Sequence, residues 1–253
     1  MIVTFLGTGT SQGVPVIACH CPVCRSVDFK DKRLRSALHV QTARASIIVD
    51  IGPDFRQQVL RENIQSLDAV LLTHEHKDHT AGLDEVRSFN FKQQRDMPLY
   101  GRKPVLEQIK TEFQYIFNGA PYPGLPRITL CEITNQAFTV NGVSIEPVEV
   151  MHYKLPVYGF KFDRFAYITD AKTIGAAEKT KLHNLDVLVL NALQKEEHIS
   201  HLTLEEALAL IAELQPGKAY LTHISHNLGL AREVEPTLPE NVYLAYDGLK
   251  LQL

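Results

Sequence analysis

The sequence has no tryptophan, no large excess of either charge, and no apolar run of the ~18–20 residues that a membrane-spanning helix needs. With 26 Lys and Arg against 29 Asp and Glu, the net charge of −3 gives no general field for holding a polyanion. A phosphate-bearing substrate must therefore be caught by a local site, and no stable nucleic-acid partner is expected. The 13 prolines are scattered and 45% of the 253 residues are hydrophobic, which excludes a disordered or fibrous chain and suits a single domain over residues 1–253. Gly7 and Gly9 interrupt the N-terminal apolar run before it reaches signal-peptide length, so a cytoplasmic protein without a membrane partner is expected. Cysteine is scarce as well. Of four, three fall in Cys19-His20-Cys21-Pro22-Val23-Cys24, a spacing too cramped for ordinary disulfides and suited to a metal ion in a reducing compartment. Cys131 stands alone in a strand-like segment, where a buried small apolar residue is expected.

Histidine, by contrast, is abundant: there are eleven, most of them where a strand pattern stops. Apolar runs at residues 2–6, 37–42, 45–51, 67–72, 128–133, 137–140, 143–150, 158–162, 165–169, 187–190 and 219–221 read as strands, with Asn141-Gly142 as a hairpin turn. Residues 55–62 and 105–117 carry helical spacing, 120–126 is a Pro/Gly loop, and Thr203 caps an amphipathic helix to residue 214 with Glu206 three positions on. Strands and helices recur in both halves, so the expected α/β fold is two mixed sheets packed face to face with helices outside, a four-layer αββα sandwich.

Thr73-His74-Glu75-His76-Lys77-Asp78-His79 follows a buried strand and precedes a helix, where side chains of an α/β scaffold converge on a ligand. His74 and His76 can face one way from an extended segment, whereas Asp78 and His79 can face a second position nearby, so two adjacent metal ions follow. His152, Asp170 and His223 each stand at or just past a strand end and are candidates to complete the set. The cysteine cluster wants a fourth ligand for a closed tetrahedral zinc, and His226, three residues after His223, is the best candidate. That zinc would pin an inserted loop at about residues 8–32. Ser11 and Gln12, in the loop Gly7-Thr8-Gly9-Thr10-Ser11-Gln12-Gly13, are weaker candidates for substrate binding. His20, His39 and His183 have no such context and are expected to be structural.

The segment His74-x-His76-x-Asp78-His79, with His152, Asp170 and His223 in order behind it, resembles the metallo-β-lactamase superfamily over essentially the whole chain. The resemblance implies an αββα sandwich in which one metal takes His74, His76 and His152, the other takes Asp78, His79 and His223, and Asp170 with a water bridges them. Two divalent ions, zinc or manganese, would turn that water into hydroxide near neutral pH and clamp a phosphoryl centre. The Gly-Thr-Gly-Thr-Ser-Gln-Gly-Val-Pro loop, Cys-x-Cys-x-x-Cys and late His-x-x-His look like the PhnP-type cyclic phosphodiesterases. This implies hydrolysis of a small cyclic phosphodiester, of the phosphoribosyl 1,2-cyclic phosphate or 2′,3′-cyclic nucleotide type, in a family that is dimeric. Asp78 would orient the nucleophile as well as bind metal, and His201, in Ser200-His201-Leu202-Thr203, would protonate the leaving oxygen, with His198 as the other candidate. The alternatives in the same superfamily are a tRNA 3′-end endonuclease and a thioester or lactone hydrolase. Against the first stand the net charge and the lack of a long basic, glycine-rich arm; against the second stands the cysteine cluster.

Overall fold

The computed structural model describes residues 1–118 and 122–253. Strands β1 (Ile2–Gly7), β2 (Ala37–Gln41), β3 (Ser46–Val49), β4 (Ala69–Leu71), β5 (Met97–Gly101) and β6 (Ile128–Glu132) lie side by side in that order. The hairpin β7 (Phe138–Val140) and β8 (Val143–His152) opens a second sheet with β9 (Leu155–Phe162), β10 (Phe165–Ile168), β11 (Thr173–Ile174), β12 (Val187–Asn191), β13 (Lys218–Thr222) and β14 (Val242–Leu244). Its order is β11-β8-β9-β10-β12-β13-β14, with β7 on β8, and the last strand, β15 (Lys250–Gln252), returns to pair with β1. Pairing is antiparallel early in each sheet and parallel later, from β3 to β6 and from β10 through β12 to β14.

The side-chain period of two explains why the sheets stack. In β3, Ile47 and Val49 join the core between the sheets while Ile48 faces the helices; in β12, Val187 and Val189 face inward and Leu188 and Leu190 outward. Strands buried on both faces therefore read as continuous apolar runs rather than alternating ones. The inner core joins Val3, Phe5 and Leu71 of one sheet to Phe160, Phe165 and Tyr167 of the other. Phe55, Phe89, Val105 and Ile109 cover one outer face, and helix Leu204–Leu214 covers the other through Ala207, Leu210, Ile211 and Leu214. Its capping box is formed as the sequence predicts, with the Glu206 amide donating to Thr203 Oγ1 and the Thr203 amide donating to the Glu206 carboxylate. The expected αββα sandwich is the observed one.

At one end of the sandwich the two sheets are joined by backbone. Gly9 bridges both Arg35 and Ile224, the Ile224 amide donates to the Thr8 carbonyl at 2.9 Å, and the Tyr158 amide donates to the Thr73 carbonyl at 3.1 Å. Several expectations need correction. β5 is an additional strand, hidden in the sequence by Pro98 and Gly101, which punctuate rather than extend an apolar run. The helix expected over residues 105–117 is two, Lys103–Glu112 and Gln114–Phe117, broken at Phe113. The first two residues of the expected 120–126 loop lie outside the described residues. Cys131 does lie in a strand, β6, but is only half-buried, because β6 is the edge of its sheet. Of the three histidines set aside as structural, His39 is buried against Ser46, whereas His20 and His183 are exposed.

Candidate active site and metal centres

The joined end of the sandwich gathers the strand ends that carry the predicted donors. β4 delivers Thr73 and the turn into helix Lys77–Thr80, which has His76 at its N-cap and Asp78 in its first turn. β8 ends on His152, Asp170 follows β10, and His223 follows β13. Asp50, Asp170 and His223 have left-handed φ values of 64°, 58° and 54°, which turn the chain off the strand and aim these side chains across the sheet edge. Gly52 is required beside them, since a Cβ there would stand 2.1 Å from the carbonyl oxygen of Asp78.

The hydrogen bonds settle which ring nitrogen each histidine presents. Thr73 Oγ1 has one proton, and it goes to the Asp50 carboxylate at 2.9 Å; its 2.9 Å contact with His74 Nδ1 therefore has the imidazole as donor. Ser36 Oγ likewise donates to the Gly9 carbonyl, so His223 Nδ1–H donates to Ser36 at 3.1 Å. His79 Nδ1–H donates to Asp50 at 2.7 Å, and His152 Nδ1–H donates to the Ser200 carbonyl at 2.9 Å. In all four rings Nδ1 is committed to a group outside the cluster, which leaves Nε2 as the nitrogen available to a metal. This is how histidines that ligate metals are usually oriented. His76, more exposed, turns its Nδ1 to within 2.9 Å of His74 Nε2.

The donor atoms of the cluster converge. Ligand atoms of His74, His76 and His152 lie within 4.8 Å of one another, as do those of Asp78, His79 and His223, while Asp170 groups with His74 and His79 and again with His152 and His201. His79 Nε2 is buried with no hydrogen-bond partner, 3.0 Å from Asp78 and 3.3 Å from Asp170, and His223 Nε2 is 3.3 Å from the other Asp170 oxygen. Against the cost of burial, Asp170, Asp78 and Asp50 push His79 well above the usual histidine range. Asp170 is held low despite its burial, chiefly by His223 and His79, and Asp78 chiefly by His79. Burial and then His79 push His74 down, toward the neutral form that binds a metal. Two carboxylates, Asp78 and Asp170, and an orphaned imidazole nitrogen at one point belong to a donor set of the hard and borderline kind that divalent zinc or manganese prefers.

His201 packs beside this cluster, its ring 4.6 Å from that of His152 and 4.9 Å from that of His223, and its buried Nδ1 has no hydrogen-bond partner. Asp170 lies 3.7 Å from that nitrogen. Burial, followed by His223, pushes its pKa down to about 3, with Asp170 pulling the other way. His198 stands farther out, 5.0 Å from His201 ring to ring, with Nδ1 3.3 Å from the Ser200 amide. Ser11 and Gln12 are exposed, and the residue of their loop that reaches the cluster is Thr10, 3.4 Å from His223 Nε2. Asp50, Thr73, Ser36 and Thr10 are the participants that sequence reading missed.

The second cluster is built from one loop and one distant histidine. His226 Nδ1 lies 3.3, 3.4 and 3.5 Å from the sulfurs of Cys19, Cys21 and Cys24. A tetrahedral zinc with ~2.3 Å bonds to sulfur and ~2.0–2.1 Å to nitrogen would space these atoms about 3.6 Å apart, so the four donors fit it closely. The Val16 amide donates to Cys24 Sγ and the Cys24 amide to Cys21 Sγ. Although burial opposes it, this amide and His226 lower the Cys21 thiol to about 6; burial, with the neighbouring thiols, raises Cys24 to about 11.

A model of the beta-lactamase superfamily domain matches residues 45–224, the stretch that runs from β3 through His223. A solved structure described as a new diphosphatase from the PhnP family is 38% identical and superposes over 100% of this chain and 97% of its own with a TM-score of 0.94. The chain belongs to the β-lactamase superfamily, and within it to the PhnP family. Proteins of this superfamily are hydrolases. Proteins with the fold bind divalent metals, as in the zinc-bound PqqB of Methylobacterium extorquens, which is 20% identical and covers 100% of both chains at a TM-score of 0.82. An octanoyltransferase of Porphyromonas gingivalis is 43% identical over 97% of this chain, which spans half the length of that relative. No helix among the described residues is long and apolar enough to cross a membrane.

Proposed function

We propose that this protein is a metal-dependent phosphodiesterase that hydrolyses a small cyclic phosphodiester. The observation that carries the reading is the set of four histidines whose Nδ1 atoms are committed elsewhere and whose Nε2 atoms converge with Asp78 and Asp170. His74, His76 and His152 would hold one divalent ion, Asp78, His79 and His223 a second, and Asp170 would serve both. Two such ions supply Lewis acidity to phosphoryl oxygens and lower the pKa of water, which is the chemistry that hydrolysis at phosphorus needs. Asp78 and Asp170 place negative charge where a water proton must be drawn off. His201 offers a buried ring nitrogen with no competing partner at the rim of the cluster, positioned to give a proton to the leaving alkoxide. An anionic phosphate against that ring favours its protonated form, in the same direction as Asp170. Cys19, Cys21, Cys24 and His226 would hold a structural zinc.

The likeness to a diphosphatase favours a second substrate with the same reacting atoms, a diphosphate ester, in which phosphate replaces the alkoxide as leaving group. The octanoyltransferase name belongs to a protein half of whose length lies outside the match, and the histidine–aspartate cluster has no thiol among its donors to take up an acyl group. The test is turnover by zinc- and manganese-loaded protein of a 2′,3′-cyclic nucleotide, a diphosphate-linked dinucleotide, a tRNA precursor and a thioester, each repeated with His201→Ala. The expected result is cyclic phosphodiester hydrolysis with kcat reduced about 10²–10⁴-fold in the variant. Thioester or tRNA cleavage without cyclic phosphodiester turnover would overturn the reading.

A further inference from the structure

The hairpin that carries His152 into the cluster turns through Tyr153 and Lys154 before β9 begins. Tyr153 has a φ of 55°, the left-handed region in which such a turn ordinarily takes glycine or asparagine and which a bulky side chain adopts only under strain. Burial in the core does not explain the choice, because the residue is 51% exposed. Lining the same open cleft, of about 510 Å³, is Ile199, 65% exposed, on the loop tied to His152 by the Ser200 carbonyl. His76 and His152 line the same cleft, which therefore adjoins the proposed metal ligands, and Lys154 holds its ammonium over one face of the Tyr153 ring, 5.2 Å from the centroid.

We propose that Tyr153 and Ile199 form a subsite that grips a flat ring, such as a nucleobase, on the non-reacting part of the substrate. The inference rests on the phosphodiesterase reading for the adjoining site and names what that substrate carries. An aromatic side chain beside an aliphatic one in a cleft holds a planar group by stacking and apolar contact without regard to its hydrogen-bonding pattern. The cavity is of the size of small-ligand sites, and a cation beside the ring suits a molecule that also bears phosphate.

Calorimetric titration of the zinc-loaded full chain with adenosine 5′-monophosphate and with ribose 5-phosphate tests it without reference to turnover. The wild type is expected to bind the nucleotide roughly tenfold more tightly. Tyr153→Gly should bring the ratio of the two Kd values close to one with a melting temperature equal to or above wild type, since glycine relieves the left-handed strain; Tyr153→Phe should keep the ratio. Equal wild-type affinity for the two ligands, or a ratio unchanged in Tyr153→Gly, would overturn the subsite. KM for a 2′,3′-cyclic nucleotide against a ring-free cyclic phosphate separates the two claims. Turnover without a ring preference sinks the subsite alone, whereas a ring preference in binding without phosphodiester turnover sinks the phosphodiesterase reading and leaves the subsite standing.

Discussion

The histidine–aspartate cluster and the cysteine cluster are both metal-donor sets, yet the protein holds them in opposite ways. The first takes its donors from the ends of four strands in two sheets, and four of its rings are fixed by a hydroxyl, a carboxylate or a carbonyl on the side away from the cluster. The second takes three donors from six consecutive positions of a long loop whose own apolar cluster is small, with Val14, Val23 and Cys24 its buried members. In the first, the scaffold positions the donors before any ion arrives. In the second, a bound ion would itself tie the loop to His226 across more than 200 residues of sequence. A reaction site must be preorganised, and a structural zinc need only close a loop.

The largest expected effect separates the two. His76→Ala removes a half-exposed donor without opening the core, so activity on the phosphodiester should fall on the order of 10³-fold while the melting temperature stays near wild type. Steady-state kinetics beside a thermal melt checks this, and a matched loss of fold would erase the distinction. Cys21→Ser is the converse. It should lose one metal ion per chain by elemental analysis and a few kcal/mol of stability, at about 2–4 °C of melting temperature for each. A melt unchanged by this substitution would mean that the loop is held by something other than its thiolates.

A smaller effect tests the scaffold claim itself. Asp50→Asn keeps the size of the group that accepts from His79 and Thr73 but removes its charge, and should lower metal affinity or kcat/KM about 10–100-fold with the fold intact. Metal titration followed by assay at saturating metal tells the two apart. The smallest effect sets the baseline for acid. Burial pushes His39 down to about 4, below its unfolded value near 6.5, so the stability it brings is complete above about pH 6.5 and is lost as pH falls toward 4. By pH 5.5 that amounts to about 1–2 kcal/mol, independent of any metal. His39→Gln should flatten this limb in chelator-treated protein, and an unchanged pH–melting curve would assign the acid sensitivity to the two clusters.

Much of this was readable because chemistry-bearing residue types are rare and were placed at pattern breaks. Six residues from His74 to His79, and single residues at the ends of three later strands, stand out in a sequence otherwise made of apolar runs and turns. Cys-x-Cys-x-x-Cys stands out for the same reason. Asp50, Thr73, Ser36 and Thr10 did not, since aspartate, serine and threonine next to a strand are ordinary turn residues, and only packing shows that Ser36 lies under His223, 187 positions away. β5 was masked by its proline and glycine, and the low pKa of His201 is a property of the residues around it rather than of its own segment.

The sequence by itself determined the kinds of donors, their order along the chain and the strand ends on which they sit, because the period of two and the punctuation by turns are local properties of the polypeptide. Only the tertiary structure decided which nitrogen each imidazole presents. That depends on one proton at Nδ1, and the group that accepts it comes in most cases from an element folded in from far along the chain.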